Sequence, residues 1–259
     1  MQKARKYLRQ NGFALGQAAP EVRDDKQAVL VAVSNSGDAL QFASARLRED
    51  REVVIAAITQ NGSALRHAAL ALRDDAEVVA AAVHRSPAAW QYAGKACTRD
   101  RHLVLRSAQR FGDVLRWADP RLQGDKEVVL VAVKSDGLAL QHASENLKKD
   151  MEVVQAAVAQ NGDALEHAAE ALRADPRIVL SAVRSSRAGS AVQFSPLAKQ
   201  KDVAMEAVKH RGDSLQWLPA QLQREPDLAM AALLQDGLAL RWADSKLRCT
   251  ERFLEEAAL

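Results

Sequence analysis

The feature that most constrains this chain is a residue that returns at multiples of 25 positions. The column reads Gly12, Gly37, Gly62, Gly112, Gly137, Gly162, Gly212 and Gly237, with Pro87 and Arg187 in the two remaining places. Similarity that keeps one register over a whole chain is typical of a repeat architecture. The 259 residues therefore predict about ten stacked repeats rather than ordinary globular domains.

The first segment of each repeat has the pattern of a helix. In repeat 3 its apolar positions are Val53, Val54, Ala57 and Ile58. This spacing places them on one helical face. Asp50 before them is a favoured N-cap, and Glu52 lies in the first turn, where the helix dipole favours negative charge. The following Asn61-Gly62 predicts a left-handed C-cap, which ends a helix A of about ten residues.

The second segment carries an Ala-Leu-x-x-Ala pattern with a further Leu four residues later. Pro120 and Pro196 stand just after this pattern, behind Asp119 and Ser195. Proline is tolerated in the first turn of a helix, so these residues favour a short helix B that kinks or restarts there. Where Ala-Leu-Ala fills the same places, at 69–71, a continuous helix fits equally well.

These segments predict an all-α solenoid of about ten 25-residue helix-turn-helix repeats, each with a short helix A, an Asn-Gly turn and a short or kinked helix B. A repeat of this size cannot bury both its faces alone, so stacked neighbours supply the missing contacts. We expect one array over 1–259. It has a degenerate first repeat (1–24), an irregular stretch (184–202) with a bulged loop, and a terminal helix (251–259).

Repeats 4 and 5 depart from the pattern. Pro87 replaces the glycine, Trp90 and Cys97 replace leucines, and Arg106 stands at a normally small position. Cys97 is expected to be buried and unreactive. It lies too far along a linear stack from Cys249 to form a disulfide, which favours a reducing, cytoplasmic setting.

The motif Asp-x-Glu-Val-Val-x-Ala-Ala-Val-x-x-Asn-Gly-x-Ala-Leu-x-x-Ala resembles a repeat family called domain of unknown function 4116. The stretches Asp50–Asp75, Asp125–Asp150 and Asp150–Asp175 match it best. The resemblance covers roughly residues 12–250 and weakens over 85–112 and 184–202. It implies a helical repeat, and it carries no activity or ligand residues to this chain.

A column of rings is the main candidate for a binding site. Two residues after the Leu of the second segment stand Phe42, His67, Tyr92, Trp117, His142, His167, Trp217 and Trp242, with Phe194 in the displaced repeat. We call these residues the ring ladder. On an α-helical wheel they lie at the margin of the buried face. They either pack between successive repeats or form an exposed ladder for a partner peptide or for stacked bases.

No pattern for catalysis or metal binding stands out. The sequence lacks a nucleophile elbow, a phosphate loop and a Cys-His arrangement. His142 and His167 have no neighbouring cluster that would complete a zinc site. We therefore expect no catalytic residue, metal, cofactor or small-molecule substrate. The basic residues after the last Leu are expected to form surface ion pairs with neighbouring Asp; they are Arg23, Arg48, Arg73, Lys148, Arg173 and Arg248.

The sequence favours a non-enzymatic scaffold that binds another protein through an extended surface. Its 36 basic and 33 acidic residues leave a net charge of +3, too near neutral to indicate a polyanionic partner. No apolar run reaches membrane-spanning length. The alternatives are nucleic-acid binding along the ring ladder, which a continuous Arg/Lys stripe would support, and a structural spacer within a larger protein.

Overall fold

The computed structural model describes residues 2–248, and these residues contain helices and turns but no strand. They fall into two compact modules, 1–122 and 123–259. Each module is an all-α solenoid built from the repeat that the sequence predicts. The single array over 1–259 stays a prediction. The predicted terminal helix (251–259) and Cys249 lie outside the described residues.

Every repeat of the first module has three elements: a long helix A, a 3-10 helix and a short α-helix of about one turn. The long helices are Gln2–Gln10, Lys26–Asn35, Arg51–Gln60, Ala76–Arg85 and Arg101–Ala108. The 3-10 helices are Gly12–Gln17, Gly37–Phe42, Gly62–His67, Pro87–Tyr92 and Gly112–Trp117. The short helices are Pro20–Arg23, Ala45–Arg48, Leu70–Arg73, Lys95–Arg99 and Pro120–Gln123.

The second module repeats the same three elements. Its long helices are Lys126–Ser135, Met151–Gln160, Pro176–Ser185, Lys201–His210 and Pro226–Gln235. Its 3-10 helices are Gly137–His142, Gly162–His167, Ser190–Phe194, Gly212–Trp217 and Gly237–Trp242. Its last elements are Leu147–Lys149, Glu170–Arg173, Pro196–Lys199, Ala220–Gln223 and Ser245–Arg248, the first and third being 3-10 turns. Within each module, helices A pack on helices A and 3-10 helices on 3-10 helices.

The prediction for helix A is confirmed. In repeat 3 the helix is ten residues long, and the Asp50 carboxylate accepts hydrogen bonds from the N–H groups of Glu52 and Val53. The four apolar residues of its predicted face, Val53, Val54, Ala57 and Ile58, are at most 1% exposed. Sequence pattern, cap and burial therefore agree, and the core of each module lies between the two helical layers.

The second segment differs from the predicted α-helix B because it forms a 3-10 helix followed by a separate turn of α-helix. The break also occurs in repeat 3, where residues 68–69 separate Gly62–His67 from Leu70–Arg73, so the alternative of a continuous helix there is wrong. The reason lies in the preceding repeat: the Ala69 N–H donates to the Arg48 carbonyl oxygen at 3.0 Å. This N–H is taken by a neighbour and cannot continue a helix through its own repeat.

The predicted left-handed C-cap is also wrong. Among the described residues only Gly189 has a positive φ, of 70°. Asn61 is extended, with φ of −143°, and its side chain accepts a hydrogen bond from the Ser63 N–H at 3.0 Å. The asparagine therefore caps the 3-10 helix that follows it, not helix A that precedes it.

Close packing, not backbone freedom, explains the glycine column. A Cβ built on Gly137 would lie 2.5 Å from the carbonyl oxygen of Ala157, in helix A of the next repeat. The Gly137 N–H donates to the Gln160 side chain of that same helix at 2.6 Å. The glycine thus lets one repeat touch the backbone of the next, at a contact that we call the glycine seam.

A second link joins the short helices of neighbouring repeats. The Ser44 N–H donates to the Arg23 carbonyl oxygen at 3.0 Å, as Ala69 does to Arg48. In the irregular eighth repeat, where Gly189 forms the expected bulge, the Ser195 hydroxyl takes over and donates to the Arg173 carbonyl oxygen at 2.7 Å. Pro219 occupies the same place in repeat 9 and has no N–H to donate.

Replacing Gly137 with Ala tests the glycine seam. We expect a loss of stability of about 1–3 kcal/mol, because the added Cβ must push the two repeats apart. The measurement is the urea midpoint of the full chain. An unchanged midpoint would contradict the close-approach explanation.

Candidate interaction surface

The structure places every residue of the ring ladder at the end of a 3-10 helix, where it is half-buried. Rings of both modules contact the preceding repeat. Phe42 meets Phe13 edge-on with ring centroids 6.3 Å apart. The Trp242 indole N–H donates to the Asp213 carboxylate at 3.0 Å. These rings therefore sit at junctions between successive repeats of their own module.

The residue before each ring is the exposed member of the pair. This exposed column is Gln41, Arg66, Gln91, Arg116, Gln141, Glu166, Gln193 and Arg241, with Gln216 half-buried. Its arginines turn back onto the ladder: the guanidinium of Arg116 lies 5.6 Å from the centre of Trp117, and that of Arg241 lies 4.8 Å from the centre of Trp242. Such cation–π contacts contribute about 0.5–1 kcal/mol at exposed sites.

Two arginines of the exposed column also pair with an acid of the preceding repeat. Arg66 lies 3.1 Å from Asp38, and Arg241 lies 3.4 Å from Asp213. In repeat 7 the same column holds an acid, Glu166. The charge along the exposed column is therefore mixed and partly compensated within each module.

The predicted ion pairs of the basic residues after the last Leu are mostly wrong. The Nε atoms of Arg23, Arg48 and Arg173 are buried and lack a hydrogen-bond partner. Arg73 donates from Nε to the carbonyl oxygen of Tyr92, a ladder residue of the next repeat, at 2.6 Å. Lys148 forms an ion pair at 2.9 Å, but with Glu145 rather than an Asp. All five of these side chains are half-buried, which limits their contact with acids at the surface.

Burial changes the pKa of two histidines of the ring ladder. Desolvation lowers the pKa of His67 and of His167 below the ordinary value of 6.5, because the charged imidazolium loses contact with water. The nearby charges of Arg66 and Lys148 also lower the pKa of His67 and His167, respectively, while Asp38 and Glu166 oppose this without reversing it. Both side chains are therefore mainly neutral near pH 7.

The other titratable groups singled out from the sequence are placed apart from one another. Among residues 2–248 no group of three or more His, Cys, Asp or Glu is arranged to hold a metal ion. Cys97 is 1% exposed, and burial raises the pKa of its thiol to about 11. His84, His102 and His210 are exposed.

Sequence reasoning missed a groove on the opposite layer. Two clefts open between helix A of repeat 4 (Ala76–Arg85) and helix A of repeat 5 (Arg101–Ala108), and Arg106 lines both. The available signal was the cluster of departures at these repeats, of which Arg106 at a normally small position was one. By itself this signal indicates degeneracy of the repeat, and it does not predict a surface with its own shape.

The fold and the contacts between neighbouring repeats define the class of protein, an all-α repeat protein built from short three-element repeats. The chain belongs to the family described as Domain of unknown function (DUF4116), which matches it over residues 3–48, 25–73, 50–97, 100–148, 125–173 and 200–248. The stretch 174–199, which contains the irregular eighth repeat, lies outside these matches. No curated protein and no solved structure matches the chain.

The two tryptophans at the end of the ladder offer a direct test of the ring contacts. Trp242→Phe should destabilise the chain by about 1.5–3 kcal/mol more than Trp217→Phe, because only Trp242 donates its N–H to a carboxylate. The Trp217 N–H is buried without an acceptor. Urea midpoints of the two variants give this difference, and both lose the same ring volume. Equal midpoints would show that the Asp213 bond contributes nothing.

The lowered pKa of the buried histidines predicts a specific pH dependence. A depressed pKa in the folded state means that stability is complete above about pH 6.5 and falls as the pH drops through the folded pKa. We expect His167→Phe, which copies Phe42 of repeat 2, to reduce this fall between about pH 7.5 and pH 5. Denaturation midpoints at the two pH values measure the effect. An NMR titration that gave His167 a pKa above 6.5 would contradict it.

Proposed function

We propose that this chain is a non-enzymatic scaffold that binds another protein through the exposed surface of its repeats. The observation that carries the proposal is the exposed column beside the ring ladder. It presents side chains of different chemistry at successive repeats on a framework fixed by the glycine seams. Arrays of this kind, in which nearest-neighbour contacts hold the fold and the outer residues vary, provide extended binding surfaces.

The charge of this column favours a protein over a nucleic acid. A nucleic acid is held by cations that replace the counterions of its phosphates. Here Arg66 and Arg241 are already compensated by Asp38 and Asp213. The rings are half-buried, and Trp117 and Trp242 are partly covered by arginine, which disfavours the stacking of bases on them.

The roles of the acidic and thiol groups support a non-enzymatic function. Asp50 caps helix A of repeat 3, and the hydrogen bond from Lys26 holds the pKa of its carboxyl below the ordinary value. Cys97 is a buried thiol with a raised pKa, the opposite of an activated nucleophile. A buried free thiol also fits the cytoplasmic, reducing setting that we include in the proposal.

Membrane insertion is not part of this proposal. Within residues 2–248 no helix combines the length and the apolar character needed to cross a bilayer.

The exposed column allows a test with opposite outcomes for the two partner classes. The variant Gln41→Arg/Gln91→Arg/Gln141→Arg/Gln193→Arg adds four cations at positions where other repeats already carry Arg. The control, Gln27→Arg/Ser34→Arg/Ala171→Arg/Gln221→Arg, adds the same charge at exposed positions elsewhere. Each protein is used to capture partners from a cell lysate, with and without nuclease, and the recovered proteins are quantified by mass spectrometry.

We expect proteins that resist nuclease, that bind the wild type and the control equally, and that fall by about tenfold or more with the column variant. Recovery that rises with the added arginines and disappears with nuclease would overturn the proposal in favour of nucleic acid. Equal recovery with all three proteins, or none, would also overturn it and would favour the structural spacer.

A further inference from the structure

The groove on the helix A layer of the first module has an apolar floor. The larger cleft, of about 460 Å³, is lined by Ala76, Leu103 and Leu105, among others. The smaller one, of about 290 Å³, is lined by Ala80 and Val83, among others. Together they form a furrow between two adjacent helices, which we call the repeat 4–5 groove.

The groove exists because small residues replace large ones. In repeats 2, 3, 5, 6 and 9 the first residue of helix A is basic, and Lys26, for example, reaches Asp50 of the next repeat at 2.8 Å. Repeat 4 has Ala76 at that place, and an alanine side chain cannot make this ion pair to repeat 5. Ala80 likewise stands where repeats 2 and 6 have Leu30 and Leu130. Both truncations leave space on the same side of the helix.

The rim of the groove is basic. Arg106 lines both clefts, while His84 and Arg110 line the smaller one, and all three side chains are exposed. Within the described chain, neither Arg106 nor Arg110 forms an ion pair. Arg110 instead lies 5.1 Å from the ring centre of Phe111. The acid on the rim, Asp100, is engaged as the cap of its helix by the His102 and Leu103 N–H groups.

In a corresponding cleft of the second module, the arginines are paired with acids. There Arg177 and Arg184 line a cleft together with Leu180. Arg177 is paired with Asp175 at 3.0 Å, and Arg184 with Glu206 at 2.8 Å. Apolar space and unpaired arginines therefore coincide at the repeat 4–5 groove but not at this second cleft.

We propose that the repeat 4–5 groove binds a short acidic peptide segment of the partner protein, with an apolar side chain in the clefts and carboxylates on Arg106 and Arg110. Guanidinium groups bind carboxylates through paired, charge-assisted hydrogen bonds, which fits a rim whose lining acid, Asp100, is already engaged as a helix cap. This inference rests on the proposed scaffold function and adds the chemistry of the ligand and its place.

The geometry favours a peptide over a nucleic acid here as well. Nucleic-acid binding needs cations that continue along a phosphate backbone. The neighbouring helix A of repeat 3 instead has its cation compensated, since Arg51 lies 2.5 Å from Glu77. Phe111, the ring at the groove, is half-buried under Arg110 and offers no open face to a base.

The test selects ligands without assuming their sequence. A phage-displayed library of random peptides is selected on the full chain, and enriched peptides are synthesised with a fluorophore and titrated by anisotropy. The groove variant is Arg106→Gln/Arg110→Gln. The control, Arg177→Gln/Arg184→Gln, removes the same charge at the second cleft. We expect peptides rich in Asp and Glu beside one large apolar residue, whose Kd rises about tenfold or more in the groove variant only.

A second variant guards against misfolding. Ala76→Lys/Ala80→Leu introduces the residues that repeats 2 and 6 carry, so it should keep its helical circular dichroism while filling the groove and weakening peptide binding.

The inference would be overturned by peptides without an acidic preference, by equal Kd values in the groove and control variants, or by binding only of a labelled single-stranded oligonucleotide. Partner capture by the groove variant separates the two proposals. Partners retained there but lost with the exposed-column variant leave the scaffold function standing.

Discussion

The regular repeats depend on one contact, the approach of a glycine backbone to a carbonyl oxygen of the next helix A. At Gly137 this approach leaves no room for a Cβ beside Ala157, and the same N–H is held by Gln160. Because the contact joins main chain to main chain, it fixes the spacing of repeats independently of the residues on the surface. The exposed column and the outer face of helix A are therefore free to vary from one repeat to the next.

Much of this fold could be predicted from the sequence, because caps and apolar faces are local signals. Asp50 and the Val53-Val54 pair define helix A without knowledge of its neighbours. The second segment could not be assigned fully, since the Ala69 N–H is engaged by Arg48 of another repeat. The purpose of the glycine was hidden for the same reason: Asn-Gly has a familiar local meaning, and the contact that decides its role lies a repeat away.

The candidate sites also combine local signals, which the sequence shows, with contacts between repeats, which it does not show. The ring ladder was visible as a column, but its half-burial depends on partners in the preceding repeat such as Asp213. The repeat 4–5 groove results from residues that each look like simple loss of pattern: two alanines where larger side chains are usual, and one arginine where a small side chain is usual. Only their placement on facing helices turns these departures into a shaped and charged surface.

Pro219 gives the array a point of weak coupling. Its neighbours in the same register tie each repeat to the one before by a backbone hydrogen bond, or by the Ser195 hydroxyl in repeat 8. A stack held by nearest neighbours melts in blocks, and a block ends where the coupling between neighbours is weakest. The junction between repeats 8 and 9 lacks this hydrogen bond, so we expect the separation of neighbouring repeats in the second module to begin there.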